Sequence, residues 1–271
     1  MRRRDFIRGL GVLALSCALI GEASAVCNKK PHKELKAVMQ KPDTGTKKQE
    51  KESEPVQPKR GDLPPKYVLL ALDITGSTRL VKEQNEQACI RIIRSLKPGD
   101  CLNIIFVTEA TFSNPEQLLV IFRMPLNVGM GGTDLRRKQT QAINQFKKIM
   151  QEMPSERGST SLVDGISLFS QILQEQDMPR KVLVLISDLR EERRDFNIET
   201  ISQKGSQILS QLKGDGLIPN LGNIEVYCLG IATTGLTPQK YQRLRNFWTG
   251  FWQLTGCRLI SMDVGYNREI D

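Results

Sequence analysis

Histidine is almost absent from this chain of 271 residues. The one imidazole belongs to His32, and residues 33–271 contain none. Ser-His-Asp triads, Cys-His dyads and His-rich zinc sites all require an imidazole, so composition excludes them from everything that follows His32. A functional site in the rest of the chain must therefore use other side chains.

Cysteine gives no metal-binding pattern either. Of the six cysteines, five follow residue 25, and their spacing matches no zinc motif. Cys89 lies on the apolar stripe of a predicted helix and Cys228 within an apolar predicted strand, so both are expected to be buried small hydrophobic residues. An oxidising compartment would permit one disulfide, but the spacing does not identify its partners.

A concentrated basic face is also missing from most of the chain. The net charge is +9, yet residues 63–271 carry 25 Lys and Arg against 22 Asp and Glu. Nucleic-acid binding proteins place excess positive charge on the binding surface, and nothing in residues 63–271 requires such a partner.

The longest apolar run, Gly9–Ile20, is shorter than a helix needs to be to cross the hydrocarbon core of a membrane. It follows a segment with four arginines and precedes Ala23-Ser-Ala25, which fits a signal-peptidase cleavage site. Residues 1–25 are therefore predicted to be a signal peptide, and the protein is expected to be exported to the periplasm or outside the cell.

The export route has alternatives. Arg3–Ile7 resembles a twin-arginine motif, and a general secretory signal that begins with three arginines is the other interpretation. Neither Cys17 nor Cys27 is preceded by the residues of a lipoprotein box, so lipidation is less favoured.

Residues 26–65 are rich in Lys, Glu, Gln and Pro and poor in aromatic and β-branched residues. Such a segment buries too little surface to offset the entropy of ordering, so it is predicted to be a disordered, charged linker. Its positive charge would allow at most a peripheral contact with an anionic membrane or cell-wall polymer.

After residue 65, apolar runs alternate with helical periods, which is typical of a parallel sheet flanked by helices. The third predicted strand, 118–123, is close enough in sequence to the second, 102–107, to pair with it as a hairpin at the edge of the sheet. No internal repeat and no second domain is evident. The strands are predicted at 67–73, 102–107, 118–123, 182–187, 224–231 and 259–262, and the helices at 79–96, 134–152, 162–174, 198–212 and 238–254.

The first predicted strand ends in a cluster of oxygen-bearing side chains. Asp73, Thr75 and Ser77 follow one another at intervals of two residues, and Gly76 allows the loop to fold tightly. Carboxylate and hydroxyl oxygens are hard ligands of the kind that Mg²⁺ and Mn²⁺ prefer. The sequence therefore predicts a divalent-cation site at this strand end.

This motif and the order of elements resemble the von Willebrand factor A family over about residues 66–264. Thr75 stands for the first Ser of the family's Asp-x-Ser-x-Ser signature. The resemblance implies an α/β fold with a doubly wound, mostly parallel sheet, one antiparallel edge strand and ligands bound at the carboxyl ends of the strands. It also implies a metal-ion-dependent adhesion site, and it leaves residues 265–271 as a C-terminal tail.

The family's site needs two further loops. Asp188 follows a nearly all-apolar strand and matches the third loop, although an Asp that caps a turn is the alternative. The second loop places a Thr one helix before the Asp-bearing strand. Thr160 lies 28 residues before Asp188, with room for one helix, whereas Thr133 lies 55 residues before it, with room for two. The resemblance thus implies the metal ligands Asp73, Thr75, Ser77, Thr160 and Asp188.

Two features bear on this assignment. Arg79 departs from the expected pattern, because a cation that pointed inward would disfavour Mg²⁺. Charged residues 190–194 either line the rim of the site or begin a solvated helix.

The predicted last helix carries four aromatic residues, Phe247, Trp248, Phe251 and Trp252. They are predicted to pack on the sheet, and the alternative is one exposed Trp in a contact surface.

The resemblance implies a non-catalytic function, in which Mg²⁺ (or Mn²⁺) keeps a free coordination position for a carboxylate of a partner protein. Two alternatives remain open at this stage. One is a metal-free scaffold that binds partners through its aromatic helix. The other is a metal-dependent hydrolase, in which the carboxylates and hydroxyls would organise a water nucleophile. The partner's identity and the oligomeric state are not predicted.

Overall fold

Six strands form one sheet in the computed structural model, which describes residues 63–107, 120–124, 132–152, 161–190, 205–231, 235–266 and 270. The strands are β1 (Lys66–Asp73), β2 (Cys101–Val107), β3 (Val120–Arg123), β4 (Arg180–Ile186), β5 (Glu225–Leu229) and β6 (Arg258–Asp263). Their order is β3-β2-β1-β4-β5-β6. Only the β2–β3 pair is antiparallel, as predicted for the edge.

Five α-helices flank the sheet, as expected for a doubly wound α/β fold. They are α1 (Lys82–Ser95), α2 (Thr133–Glu152), α3 (Leu162–Gln174), α4 (Gly205–Gly214) and α5 (Pro238–Thr255). Helices α1 and α2 pack on one face of the sheet, and α3, α4 and α5 pack on the other. Among the described residues, no helix combines the length and apolarity needed to cross a membrane.

Strand β1 shows how the sheet separates two cores. Its side chains alternate, so that Leu69 and Ala71 join the core beneath α3–α5, and Leu70 and Leu72 join the core beneath α1 and α2. All eight residues of the strand are buried. A strand covered on both faces has an almost continuous apolar sequence, as β1 and β4 have.

The aromatic side chains of α5 belong to the core. Both tryptophans are fully buried, and Phe247 and Phe251 lie beside them with the Trp248 and Phe251 rings 5.3 Å apart. Packing on the sheet is therefore the correct interpretation of this helix. The alternative of an exposed Trp in a contact surface is wrong, because the sheet takes up the whole aromatic face.

The described cysteines are reduced and at least half-buried, at positions 89, 101, 228 and 257, and no disulfide joins any two of these four. Cys89 and Cys228 are fully buried, as predicted. Burial raises the pKa of the Cys89 thiol well above its ordinary value, which keeps it protonated and inert.

Residues at the C-terminus contribute to the core beneath α1 and α2. Ile270 is buried there, and its carbonyl oxygen accepts a hydrogen bond of 2.7 Å from Nζ of the buried Lys66. Residues predicted as a tail thus supply a contact at the start of β1. The predicted signal peptide and nearly all of the predicted linker (residues 1–62) lie outside the described residues.

The central position of β1 leads to a matched pair of stability predictions. Replacing Leu70 by Ala should lower the free energy of unfolding by about 2–5 kcal/mol, because the truncation leaves a cavity in a close-packed core. The same substitution at Leu80, whose side chain is 88% exposed, should change it by no more than about 0.5 kcal/mol. Urea denaturation followed by tryptophan fluorescence measures both, and equal losses would contradict the placement of β1.

Candidate functional site

The strand order reverses between β1 and β4, since the chain winds outward from β1 to β3 and then from β4 to β6. In doubly wound sheets, ligands bind in the crevice at the carboxyl ends of the strands beside such a reversal. Asp73 is the last residue of β1, and Asp188 follows the end of β4 by two residues. The two predicted acidic ligands therefore lie at this crevice.

The Asp73 carboxylate is almost completely enclosed, with 1% of the residue exposed. Its Oδ1 accepts hydrogen bonds from the Thr75 backbone N–H at 3.0 Å and the Thr75 hydroxyl at 2.6 Å. Its Oδ2 accepts a hydrogen bond of 2.7 Å from the Ser187 hydroxyl. Asp73 thus holds two hydroxyl groups in fixed orientations, one on each side of the crevice.

The backbone after β1 turns tightly, which brings Thr75 back over Asp73. The Thr78 hydroxyl donates to the carbonyl oxygens of Asp73 and Thr75, at 3.0 Å each, and the Thr78 N–H donates to the Thr75 carbonyl at 3.1 Å. A 3₁₀ helix, Gly76–Val81, follows before α1 begins at Lys82. The sequence predicted a single α-helix from residue 79 and missed this tighter first part.

Sequence analysis also missed Ser187, which it treated as the last residue of a strand. The register explains the role of this residue, because Leu72 of β1 pairs with Ile186 of β4 and the next residues on each strand are therefore neighbours. Its buried hydroxyl donates to Asp73 and accepts a 3.0 Å hydrogen bond from the Leu189 N–H. A Ser directly before the strand-end Asp was the available signal.

Asp188 caps a turn, which was the alternative interpretation of this residue. Its Oδ1 accepts a hydrogen bond of 3.1 Å from the Arg190 N–H, and its Oδ2 lies 3.7 Å from the Arg190 Nε. Leu189, between them, is buried in the left-handed region at φ 60°, and its carbonyl oxygen accepts a 2.8 Å hydrogen bond from the Trp248 indole. The capping role does not remove Asp188 from the crevice.

The two carboxylates influence each other electrostatically. The pKa of Asp73 is raised from its ordinary value of 3.8 to about 6, first by burial and then by the nearby negative charge of Asp188. The hydrogen bonds from Thr75 and Ser187 lower the pKa of Asp73 and offset part of this effect. The crevice therefore holds a buried carboxylate that is costly to ionise beside a second acidic side chain.

Tyr266 forms a wall beside Asp188. The ring packs against Gly230, where an added Cβ would come within 2.5 Å of it, and Gly230 has φ +80°. Glycine is needed there both for the backbone conformation and for the ring. Burial, followed by the charge of Asp188, raises the pKa of the Tyr266 phenol.

Two predicted ligands cannot be placed. Thr160 and the side chain of Ser77 lie outside the described residues, as does the side chain of Arg79. Helix α3 begins at Leu162 and is the one helix between residue 160 and β4, whereas Thr133 is the exposed first residue of α2. This arrangement agrees with the spacing used to prefer Thr160, and the assignment of both ligands stays a prediction.

The donor set of the crevice suits a hard divalent cation. Carboxylate and hydroxyl oxygens suit Mg²⁺ and Mn²⁺, and a cation there would offset the cost of burying the Asp73 carboxylate and its repulsion by Asp188. Within the described ranges, no cluster of three or more His, Cys, Asp or Glu side chains is arranged to hold a metal. Metal binding at this site would therefore depend on the hydroxyl groups as much as on the two carboxylates.

Solved structures similar to this chain include three bacterial surface or von Willebrand-type proteins. The open pilus adhesin SpaC of Lactobacillus rhamnosus GG is 11% identical, covers 70% of this chain and 27% of its own, and gives a TM-score of 0.43. A von Willebrand factor type A protein of Catenulispora acidiphila is 11% identical, with coverages of 71% and 42% and a TM-score of 0.37. A point mutant of the Streptococcus sanguinis PilB minor pilin is 12% identical, with coverages of 78% and 59% and a TM-score of 0.47.

The chain thus spans between about a quarter and three fifths of the length of these structures. TM-scores below 0.5 at such identities do not assign the chain to a family. No family model matches the sequence, and no curated protein matches it.

The raised pKa of Asp73 leads to a pH-dependence prediction. Asp73 ionises near pH 4 in the unfolded chain and near pH 6 in the folded one, so between these values the folded state binds more protons. Its contribution to the free energy of unfolding therefore falls as the pH rises from 4 to 6. A difference of two pKa units corresponds to about 3 kcal/mol.

Asp73→Asn removes this ionisation, so the variant should gain stability relative to the wild type by about 3 kcal/mol between pH 4 and pH 7. Urea denaturation of both proteins in chelator, at intervals of half a pH unit, measures the difference. A difference that does not change with pH would show that Asp73 ionises normally in the folded protein.

Proposed function

We propose that this chain is an exported, non-catalytic protein that binds a partner protein through a divalent cation held at the carboxyl end of its sheet. Asp73, Thr75, Ser77, Thr160 and Asp188 would hold the ion, which is Mg²⁺ or Mn²⁺. A carboxylate of the partner would complete its coordination.

One observation carries this proposal. Two buried acidic residues lie at the ends of neighbouring strands, where the strand order reverses, and the hydroxyl groups of Thr75 and Ser187 both donate to one of them, Asp73. Buried carboxylates are costly unless they are paired, hydrogen-bonded or bound to a metal. A cation at this place would offset the cost of burying the two carboxylates, and it would also bind an anionic group of a partner.

The hydrogen bonds of Asp73 support a ligand role for Thr75. Its hydroxyl donates its proton to Asp73, which leaves the lone pairs of the oxygen directed elsewhere and makes the oxygen a better electron donor. Outer carboxylates that orient metal ligands in this way are a common feature of metal sites. Asp73 would thus act by positioning the hydroxyls of Thr75 and Ser187, either in addition to direct contact or in place of it.

The export signal and the absence of histidine complete the proposal. Residues 1–25 have the charge and apolar pattern of a signal peptide, which would deliver the protein to the periplasm or the cell exterior. Residues 33–271 lack the imidazole on which most triads, dyads and zinc sites depend, and this favours a binding function over catalysis.

A metal-free scaffold is the second candidate function, and one contact favours it. The guanidinium of Arg190 lies beside Asp188, with Nε 3.7 Å from Oδ2, and supplies some of the positive charge that a metal would supply. A partner would then bind to the rim of the crevice through residues other than the aromatic side chains of α5, which are buried.

Calorimetric titration of the purified protein with Mg²⁺ and with Mn²⁺ tests the proposed site. Saturable binding is expected, and Asp73→Ala should weaken it by about 10- to 100-fold because the positioned hydroxyls lose their acceptor. Asp188→Asn should weaken it as well, since the substitution removes a negative charge from the crevice. Asp215→Asn provides a matched control, because Asp215 lies in the exposed turn after α4.

The partner is tested by crosslinking and capture from cell envelopes, with and without chelator. The metal-bridge proposal expects capture that chelator and Asp188→Asn both abolish and that Asp215→Asn does not change. Capture that survives chelator and Asp73→Ala would instead support the metal-free scaffold. Equal metal affinity in the wild type, Asp73→Ala and Asp188→Asn would contradict the proposed metal site.

A further inference from the structure

Arg190 lies beside the candidate site and contacts Asp188 through both its side chain and its backbone. Its side chain is 25% exposed and that of Asp188 is 3% exposed, and the closest approach between their charged groups is 3.7 Å, from Nε to Oδ2. The same residue also donates its backbone N–H to Asp188 Oδ1 at 3.1 Å. Both carboxylate oxygens of Asp188 therefore face atoms of Arg190.

The backbone that places Arg190 there is held from the core. Leu189 lies in the left-handed region at φ 60°, a conformation that a Leu adopts only when its surroundings compensate. Its N–H donates to the Ser187 hydroxyl at 3.0 Å, and its carbonyl accepts from the Trp248 indole at 2.8 Å. The turn, and with it the placement of Arg190, is thus a property of the fold.

The other side of the guanidinium is lined by backbone. Gly235, at φ +76°, lies where an added Cβ would stand 3.9 Å from Arg190 Nη2. Among the residues that the structure describes, the charged or titratable groups at this part of the crevice are Asp73, Asp188 and Tyr266, together with Arg190 itself. Arg190 therefore brings positive charge beside two acidic side chains.

We propose that Arg190 is a resident counter-cation that competes with the divalent ion for Asp188, so that the guanidinium has to withdraw when the ion binds. The inference rests on the proposed function, and it adds the residue that sets the affinity of the site for metal. A divalent ion held by Asp188 would lie close to the guanidinium, and like charges at such distances repel. The partial exposure of Arg190 gives it room to move toward solvent.

Linkage makes the competition measurable. Whatever free energy the Arg190–Asp188 pair contributes to the metal-free protein must be given up when the metal binds, so that removing the pair raises metal affinity by the corresponding factor. Couplings between sites are typically between 5-fold and 150-fold, and an effect of about tenfold is expected for a partly exposed pair.

The experiment compares four full-length proteins by Mg²⁺ titration calorimetry and by thermal unfolding in chelator. They are the wild type, Arg190→Gln, Arg190→Lys and Arg94→Gln. Arg94 is the matched control, because it is an exposed arginine in the last turn of α1, shortly before β2 begins and so at the end of the strands away from the crevice. The Lys variant keeps the positive charge and loses the planar guanidinium.

Arg190→Gln should bind Mg²⁺ about tenfold more tightly than the wild type. In chelator the same variant should melt at a temperature lower by roughly 2–4 °C, because Asp188 loses its counter-cation. Arg190→Lys should remain close to the wild type in metal affinity, and Arg94→Gln should match it in both measurements. A residue with a purely structural role would lower the melting temperature and the metal affinity together.

The outcomes separate this inference from the proposed function. If the wild type and Arg190→Gln bind Mg²⁺ equally, or the variant binds it more weakly, the competition does not exist even though the metal site does. If only Arg190→Gln binds the ion, the natural protein is metal-free and Arg190 is the reason. If neither binds, both the metal site and the competition are overturned.

Discussion

The carboxylate of Asp73 is buried at the end of a central strand with Asp188 nearby, and the structure around the crevice is arranged to hold it there. An isolated buried carboxylate would cost several kcal/mol. Three hydrogen bonds, two from Thr75 and one from Ser187, reduce this cost. They do not remove it, since the pKa of Asp73 remains raised to about 6. The remaining cost of ionising Asp73 is the reason for proposing a cation at this end of the sheet.

The packing of the two cores fixes the positions of the strand ends that carry the carboxylates. Strands β1 and β4 are packed on both faces, so their ends cannot separate to relieve the repulsion between the carboxylates. The turn after β4 adds a second strained element, because Leu189 is held in the left-handed region by its contacts to Ser187 and Trp248. The buried aromatic cluster of α5 thus supports the crevice through one indole hydrogen bond, from Trp248 to the Leu189 carbonyl oxygen.

The sequence allowed the sheet to be predicted well and the site only in part. Continuous apolar runs identified β1 and β4, because strands covered on both faces leave few positions for polar residues. Asp73, Thr75 and Asp188 could be recognised by type and position at strand ends. Ser187 was missed although it directly precedes the strand-end Asp, since its contact with Asp73 depends on the register between strands, which single-strand patterns do not contain. The 3₁₀ helix was missed because it depends on the hydroxyl of Thr78.

Under the proposed function, three positive species would compete for the carboxylates of Asp73 and Asp188. Below about pH 6 a proton on Asp73 neutralises one of them. At neutral pH the guanidinium of Arg190 neutralises part of the charge of Asp188 from the rim of the crevice, at 3.7 Å. A divalent ion would neutralise both at once and would make the guanidinium superfluous. If the proposed ion binds, proton binding, arginine pairing and metal binding would oppose one another, and a partner that supplies a further carboxylate would shift this balance toward the metal.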